Sequence, residues 1–204
     1  RRAAEISLSN LTDERMRHAK TGQWHIENPQ RALANNSVCY TETPDMGIFM
    51  REFLALYESH SGERGIFNRE ACKKLMPERR DKEHEFGCNP CSEIILRASG
   101  VCNLTECILR PSDKHEDVEK KIKYATILGT IQSMLTDFRY VRPIWKKNAE
   151  EERLLGVSMT GVFDCPIVLN ASPEQLQKWR DIAIKTNEKW AKELDINPSA
   201  AITC

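Results

Sequence analysis

Cys88-Asn89-Pro90-Cys91-Ser92-Glu93-Ile94-Ile95-Leu96 is the point where the chain turns abruptly from polar to apolar, and its reading decides the fold. Residues 77–87 before it are almost wholly charged, so a solvated connection delivers this motif toward an interior. Cys102 stands eleven positions beyond Cys91 and is followed by Asn103, Leu104 and Cys107. Two readings of this cluster compete. Cys88, Cys91, Cys102 and Cys107 have paired spacings, C-x2-C and C-x4-C, of the kind that lets two tight turns close a tetrahedral zinc site, so a zinc-binding module is one reading. Against it, each pair runs directly into strand-like apolar sequence, Ile94-Ile95-Leu96 and Ile108-Leu109, with no knuckle turn. In the other reading the segment is extended, where residues i and i+2 face the same way. Asn89, Cys91 and Glu93 then point together at one small substrate. The carboxylate acts as base toward a hydroxyl, the amide orients, and the thiol is the reactive centre.

Outward from this motif, strand and helix alternate. Residues 4–8 and 36–41 read as strands, 12–20 as a short capped helix, and Pro44-Asp45-Met46 opens a helix with Ile48, Phe49, Phe53, Leu54 and Tyr57 on one face. After the motif, the apolar segment 100–109 precedes an amphipathic helix over 113–138. Its expected core stripe is Val118, Ile122, Ala125, Leu128, Ile131 and Leu135. A buried strand follows at 154–162, then a helix opened by Ser172-Pro173-Glu174, then a strand at 200–203. This rhythm predicts an α/β fold with a mainly parallel sheet, open or closed into a barrel. With no repeat and no linker, residues 1–204 read as one domain or part of one. The start at Arg1 without methionine and the stop at Cys204 after an apolar run suggest an internal fragment.

Composition narrows the function classes. Thirty basic and thirty acidic residues leave a formal net charge of +0, with no excess to neutralise a polynucleotide or an anionic membrane. No apolar run is long enough to span a bilayer, and the charged start is unlike a signal peptide, so a cytoplasmic protein is expected. Eight cysteines in a reducing compartment point to metal or redox chemistry.

The stretch from Asn89 to Leu96, with Cys102-Asn103-Leu104 after it, resembles the finger loop of ribonucleotide reductases. The short interval between Cys91 and Cys102, and the proline before Cys91, resemble the adenosylcobalamin-dependent class more than the two-subunit iron class. Arg1-Arg2-Ala3-Ala4-Glu5-Ile6, Pro29-Gln30-Arg31-Ala32-Leu33-Ala34-Asn35-Asn36-Ser37-Val38 and Pro198-Ser199-Ala200-Ala201-Ile202-Thr203-Cys204 agree with that likeness. The resemblance implies part of a ten-stranded α/β barrel threaded by a central finger loop. It implies Cys91 as the thiyl radical that removes the ribose 3′ hydrogen, Glu93 as the base for the 3′-hydroxyl and Asn89 as a hydrogen-bonding partner of the ribose. Cys102 becomes one of two reducing thiols. Adenosylcobalamin is the implied cofactor, and a ribonucleotide, with a triphosphate the expected form and a diphosphate the alternative, a dNTP effector and a thioredoxin-like reductant are the implied partners. A reductase drawing its radical from a separate iron or manganese subunit is the alternative within the same chemistry.

The connection 20–36 is longer than usual, and long ordered loops tend to be functional. By resemblance it is the specificity loop between effector and substrate base, with Arg31, Gln30 and Asn36 as its candidate residues. The family's second redox cysteine and its phosphate loop are expected outside this sequence. Cys39 is then read as a buried structural thiol, as are Cys72, Cys88, Cys107 and Cys165.

Overall fold

The computed structural model describes residues 4–203, with side chains from residue 8 to residue 202. Arg1-Arg2-Ala3 of the opening motif and Cys204 of the closing one lie outside the described residues. Residues 1–204, expected as one partial domain, divide into two compact units: Arg1–Met76 with Lys82–Ala98, and Pro77–Asp81 with Ser99–Cys204.

The first unit is built on three parallel strands, β1 (Ala4–Ser9), β2 (Ala34–Tyr40) and β3 (Gly65–Asn68), in the order β1-β2-β3. Parallel neighbours need crossover connections. Helices α1 (Glu14–Arg17) and α2 (Trp24–Glu27) and a 3-10 turn over Pro29–Leu33 fill the first crossover, and α3 (Met46–Ser59) fills the second. α3 starts where the Asp45 carboxylate accepts the backbone N–H groups of Gly47 and Ile48. α4 (Arg69–Leu75) follows β3 and is capped in the same way by Asn68. Alternation along β2 sends Val38 and Tyr40 toward α3, where the Tyr40 ring lies 6.3 Å from Phe49.

The inward face of α3 keeps only Ile48 and Phe49, both half-buried, of the five residues expected on it. Phe53, Leu54 and Tyr57 are exposed, and Glu52 is buried in their place. The cause is a charge network. Arg64, itself fully buried, donates to the two Glu52 oxygens at 2.6 and 2.7 Å, and Arg17 adds a third bond at 2.9 Å. Arg64 also donates to Ser9 Oγ at 2.7 Å, tying β1 to the network. A charge leaves water only when it is paired in this way, so the pairing outranks the apolar stripe in setting the helix face. The unit ends in an antiparallel hairpin of β4 (Phe86–Cys88) and β5 (Ile95–Arg97).

The second unit has its own parallel sheet, β6 (Cys102–Ile108), β7 (Leu154–Thr160) and β8 (Ile202–Thr203). Its helices are α5 (His115–Gln132), α6 (Pro143–Glu152), α7 (Pro166–Leu169) and α8 (Pro173–Glu193). Cys107, Leu109 and Val157 of the sheet side pack with Val118, Ile122, Ala125, Trp179 and Ala183 of α5 and α8.

The expected α5 stripe holds only for its first three members. Leu128, Ile131 and Leu135 are 62, 44 and 74% exposed, and the helix stops at Gln132. Thr126, Gly129 and Thr130 take the inner face instead. A Cβ on Gly129 would sit 3.4 Å from Leu155 Cδ2 and 3.5 Å from Thr105 Cγ2, so the approach of helix to sheet favours small residues there. The Thr126 and Thr130 hydroxyls donate to carbonyls one turn back, and Asn187 of α8 donates to Thr130 Oγ1 at 2.9 Å.

Among the described residues the sheets have three, two and three strands and no closed barrel forms, so the fold is mixed α/β with small sheets, the two three-stranded ones parallel. No helix among them is long and apolar enough to cross a membrane.

Candidate active site at the hairpin tip

Residues 89–94 join β4 to β5 and carry three of the four expected catalytic side chains. The segment is a turn, not the extended strand anticipated from sequence. Ser92 takes a left-handed conformation at φ 62°, and its N–H donates to Asn89 O at 2.9 Å. Asn89 organises the rest. Its backbone N–H donates to Ile94 O at 3.3 Å, its side-chain oxygen accepts Ile94 N–H at 3.0 Å, and its Nδ2 donates to Glu93 Oε1 at 2.5 Å. The two side chains meet because the chain folds back on itself, so the pleat invoked for them is the wrong cause of a correct proximity. Cys88 Sγ lies 3.5 Å from Ser92 Oγ, a further tie within the tip.

Cys91 is exposed at the apex, and Glu93 is exposed beside it. The base of the tip is held by apolar burial, with Ile94 5% exposed and Phe86 fully buried. The hairpin lies against the face of the first unit's sheet opposite α3. Asn35 of β2 donates to Pro90 O at 2.7 Å, and Arg69 donates to Phe86 O at 2.6 Å. A residue whose partner lies 55 positions away carries no local signal of that contact.

Cys39 sits on the same face of β2 as Asn35. Burial pushes its thiol above the ordinary range; the Glu85 carboxylate adds to that, and the Arg69 charge and a backbone hydrogen bond oppose it. The side chain is half-buried, where a buried thiol was expected.

Cys102, the fourth expected catalytic residue, opens β6 in the second unit, half-buried and in register with Leu154. Of the four cysteines considered for zinc, Cys88 and Cys91 belong to the first unit, Cys102 and Cys107 to the second, and Cys107 is buried in the core. Among the described residues no three His, Cys, Asp or Glu side chains are grouped to hold a metal ion.

The expected specificity loop is a structured segment. α2 and the 3-10 turn occupy most of residues 20–36, and Arg31 donates to Ala19 O at 2.6 Å, closing the segment on itself. Gln30 is exposed. Asn36 is buried and donates to Glu63 Oε2 at 2.7 Å, while Glu63 accepts Lys20 at 2.6 Å.

No protein-family model matches the sequence, and no curated protein does. A crystal structure of a B12-dependent (class II) ribonucleotide reductase is similar in fold, with a TM-score of 0.64 at 20% identity. The likeness covers 89% of this chain and 30% of that one, so this chain spans 30% of the length of the solved structure. At that identity the shared property is the fold, and this chain has a fold like part of a ribonucleotide reductase.

Proposed function

We propose that this chain is the portion of a ribonucleotide reductase that carries the radical cysteine, working on ribonucleotides, with triphosphates as the expected form. The observation that carries this reading is the tip itself. An exposed thiol stands at the apex of a hairpin, and within two residues on either side an amide and a carboxylate are joined at 2.5 Å.

In this reading Cys91 as a thiyl takes the 3′ hydrogen of the ribose, forming S–H and leaving a carbon radical. Glu93 accepts the 3′-hydroxyl proton, and Asn89, already bonded to Glu93, keeps that carboxylate aimed and can bond the ribose hydroxyls. The 2′-hydroxyl leaves as water with a proton from a reducing thiol. Cys102 and a second thiol outside this chain supply two electrons and end as a disulfide, and Cys91 returns its hydrogen to C3′. A thioredoxin-like dithiol then reduces that disulfide.

When bound, adenosylcobalamin supplies the oxidising equivalent that converts the Cys91 thiol to the thiyl. The exposure of Cys91 fits a thiol that is reached from outside the hairpin. Residues 20–36 serve as the segment that senses a dNTP effector. Gln30 is its presented side chain, Arg31 braces it through Ala19 unless the effector recruits the guanidinium, and Asn36 anchors its exit.

The test is turnover in the full-length protein with ribonucleotide, adenosylcobalamin and a dithiol. Deoxyribonucleotide is expected, and its formation should be abolished by Cys91→Ser. Turnover retained in that variant, or deoxyribonucleotide never formed under any radical source, contradicts the proposal.

A further inference from the structure

We propose that Asn35 is the positioning residue for Cys91, a role that rests on the reactive-thiol reading of the hairpin tip. The ties within the tip fix its internal shape, through Asn89, Ser92, Glu93 and Ile94, but do not by themselves fix where the apex stands over the sheet. Asn35 supplies that coordinate. Its Nδ2 donates to Pro90 O at 2.7 Å from the strand face beneath the hairpin.

The acceptor is the informative atom. The oxygen of Pro90 and the nitrogen and Cα of Cys91 lie in one rigid peptide plane. A bond that holds Pro90 O therefore holds Cys91 Cα, and the pyrrolidine ring removes the φ freedom of Pro90 through which the plane could swing away. An anchor one residue away on a flexible link would position the thiol far less well.

β2 is itself braced at this point. The next residue, Asn36, points to the opposite face and donates to Glu63, which is held in turn by Lys20, and Lys20 also donates to Ala34 O at 2.7 Å. Opposite the same two asparagines the β1–β2 register slips, Glu5 pairing with Asn35 and Ser7 with Asn36. Such irregularities re-aim side chains at functional sites. Adjacent asparagines thus clamp the strand on one face and the catalytic tip on the other.

The test uses the full-length protein and three variants. Asn35→Ala removes the donor, Asn35→Asp keeps the shape but faces the Pro90 carbonyl with an acceptor, and Asn35→Gln keeps a donor on a longer arm. Amide exchange at Cys91 and Ser92 should rise about fivefold in the Ala and Asp variants, the effect of losing one ordinary hydrogen bond, and less in Gln. Deoxyribonucleotide formation should fall on the order of a hundredfold in kcat with KM unchanged, because misplacement of the reacting atom is felt in the chemical step. Partial rescue by Gln but not by Asp separates donation from packing. Unchanged exchange at the tip overturns the proposal, and so does raised exchange with an unaltered kcat. If the unaltered protein forms no deoxyribonucleotide, the reductase reading fails, and the exchange comparison still decides whether Asn35 holds the tip.

Discussion

The two units are held together differently. The first buries charge: Arg64, Glu52 and Arg17 in one network, and Lys20, Glu63 and Asn36 in another. The second is centred on apolar side chains, Val118, Ile122, Val157 and Trp179, with small polar residues such as Thr126, Thr130 and Asn187 on α5 and α8. Its buried ion pair, Arg80 with Glu152 at 2.7 Å, lies outside that core and ties down Pro77–Asp81. Burial of apolar surface is non-directional and by itself sets no bond angle. Bidentate charge pairs fix both distance and angle. The difference teaches where position matters, since the unit organised by directional bonds is the one that carries the hairpin tip.

The largest expected effect breaks the network. Arg64→Met leaves Glu52 buried with Arg17 alone, which should cost about 3–5 kcal/mol. Adding Glu52→Leu should restore much of that stability, because an apolar replacement of both partners is often neutral. Chemical denaturation of the single and double variants reads this directly. If the single variant is as stable as the parent, buried charge is not what organises the first unit.

Next comes the apolar counterpart. Ile122→Ala should cost about 2–5 kcal/mol through lost burial and a residual cavity. Amide exchange should show the loss in β6, β7 and α5 while the first unit keeps its protection. Loss of protection in both units would mean that they do not respond separately.

A smaller effect is expected from pH. Burial alone would raise the Glu52 carboxyl, but hydrogen bonds and charges from Arg64 and Arg17 outweigh it and hold it below its ordinary value. Its stabilisation is therefore complete above the ordinary carboxylate range and fades as pH falls from about 4 toward the lowered folded value. Glu52→Gln should flatten the acid limb of the first unit's stability. An acid limb identical to the parent's would remove Glu52 from the account.

The mildest test compares two thiols of one unit. Exposed Cys91 should alkylate at pH 8 about tenfold faster than Cys39, whose thiol is partly buried and held protonated. Equal rates would show that the apex is shielded or that Cys39 is open.

Much of the architecture was legible in the sequence because it depends on local signals. Alternating strands and helices announced parallel sheets, Asp45 and Ser172 marked helix starts, and Val118, Ile122 and Ala125 marked a core face. What was hidden depends on distant partners. Glu52 reads as a surface residue until Arg64 and Arg17 are brought to it, and only then do Phe53, Leu54 and Tyr57 turn outward. Leu128, Ile131 and Leu135 look like core until the close approach of α5 to the sheet selects Gly129 and its threonine neighbours. The candidate site was legible as a set of residues, Asn89, Cys91 and Glu93, but its shape was not. Nothing in Asn-Pro-Cys-Ser-Glu signals the left-handed Ser92 that closes the turn, and nothing near Asn35 signals its bond to Pro90.

In the proposed reaction Cys91 removes the 3′ hydrogen and Cys102 supplies reducing electrons, and 3′-tritiated substrate separates the two. In the full-length protein Cys102→Ser leaves the initiating thiol in place, so label should leave the 3′ position while the unreduced intermediate decays to free base and a damaged sugar. Cys91→Ser replaces that thiol with a hydroxyl whose O–H bond is far stronger, so neither label nor free base should appear. Release of label and free base from a Cys91→Ser, Cys102→Ser double variant at the rate of Cys102→Ser alone would contradict the assignment of Cys91 as the radical centre.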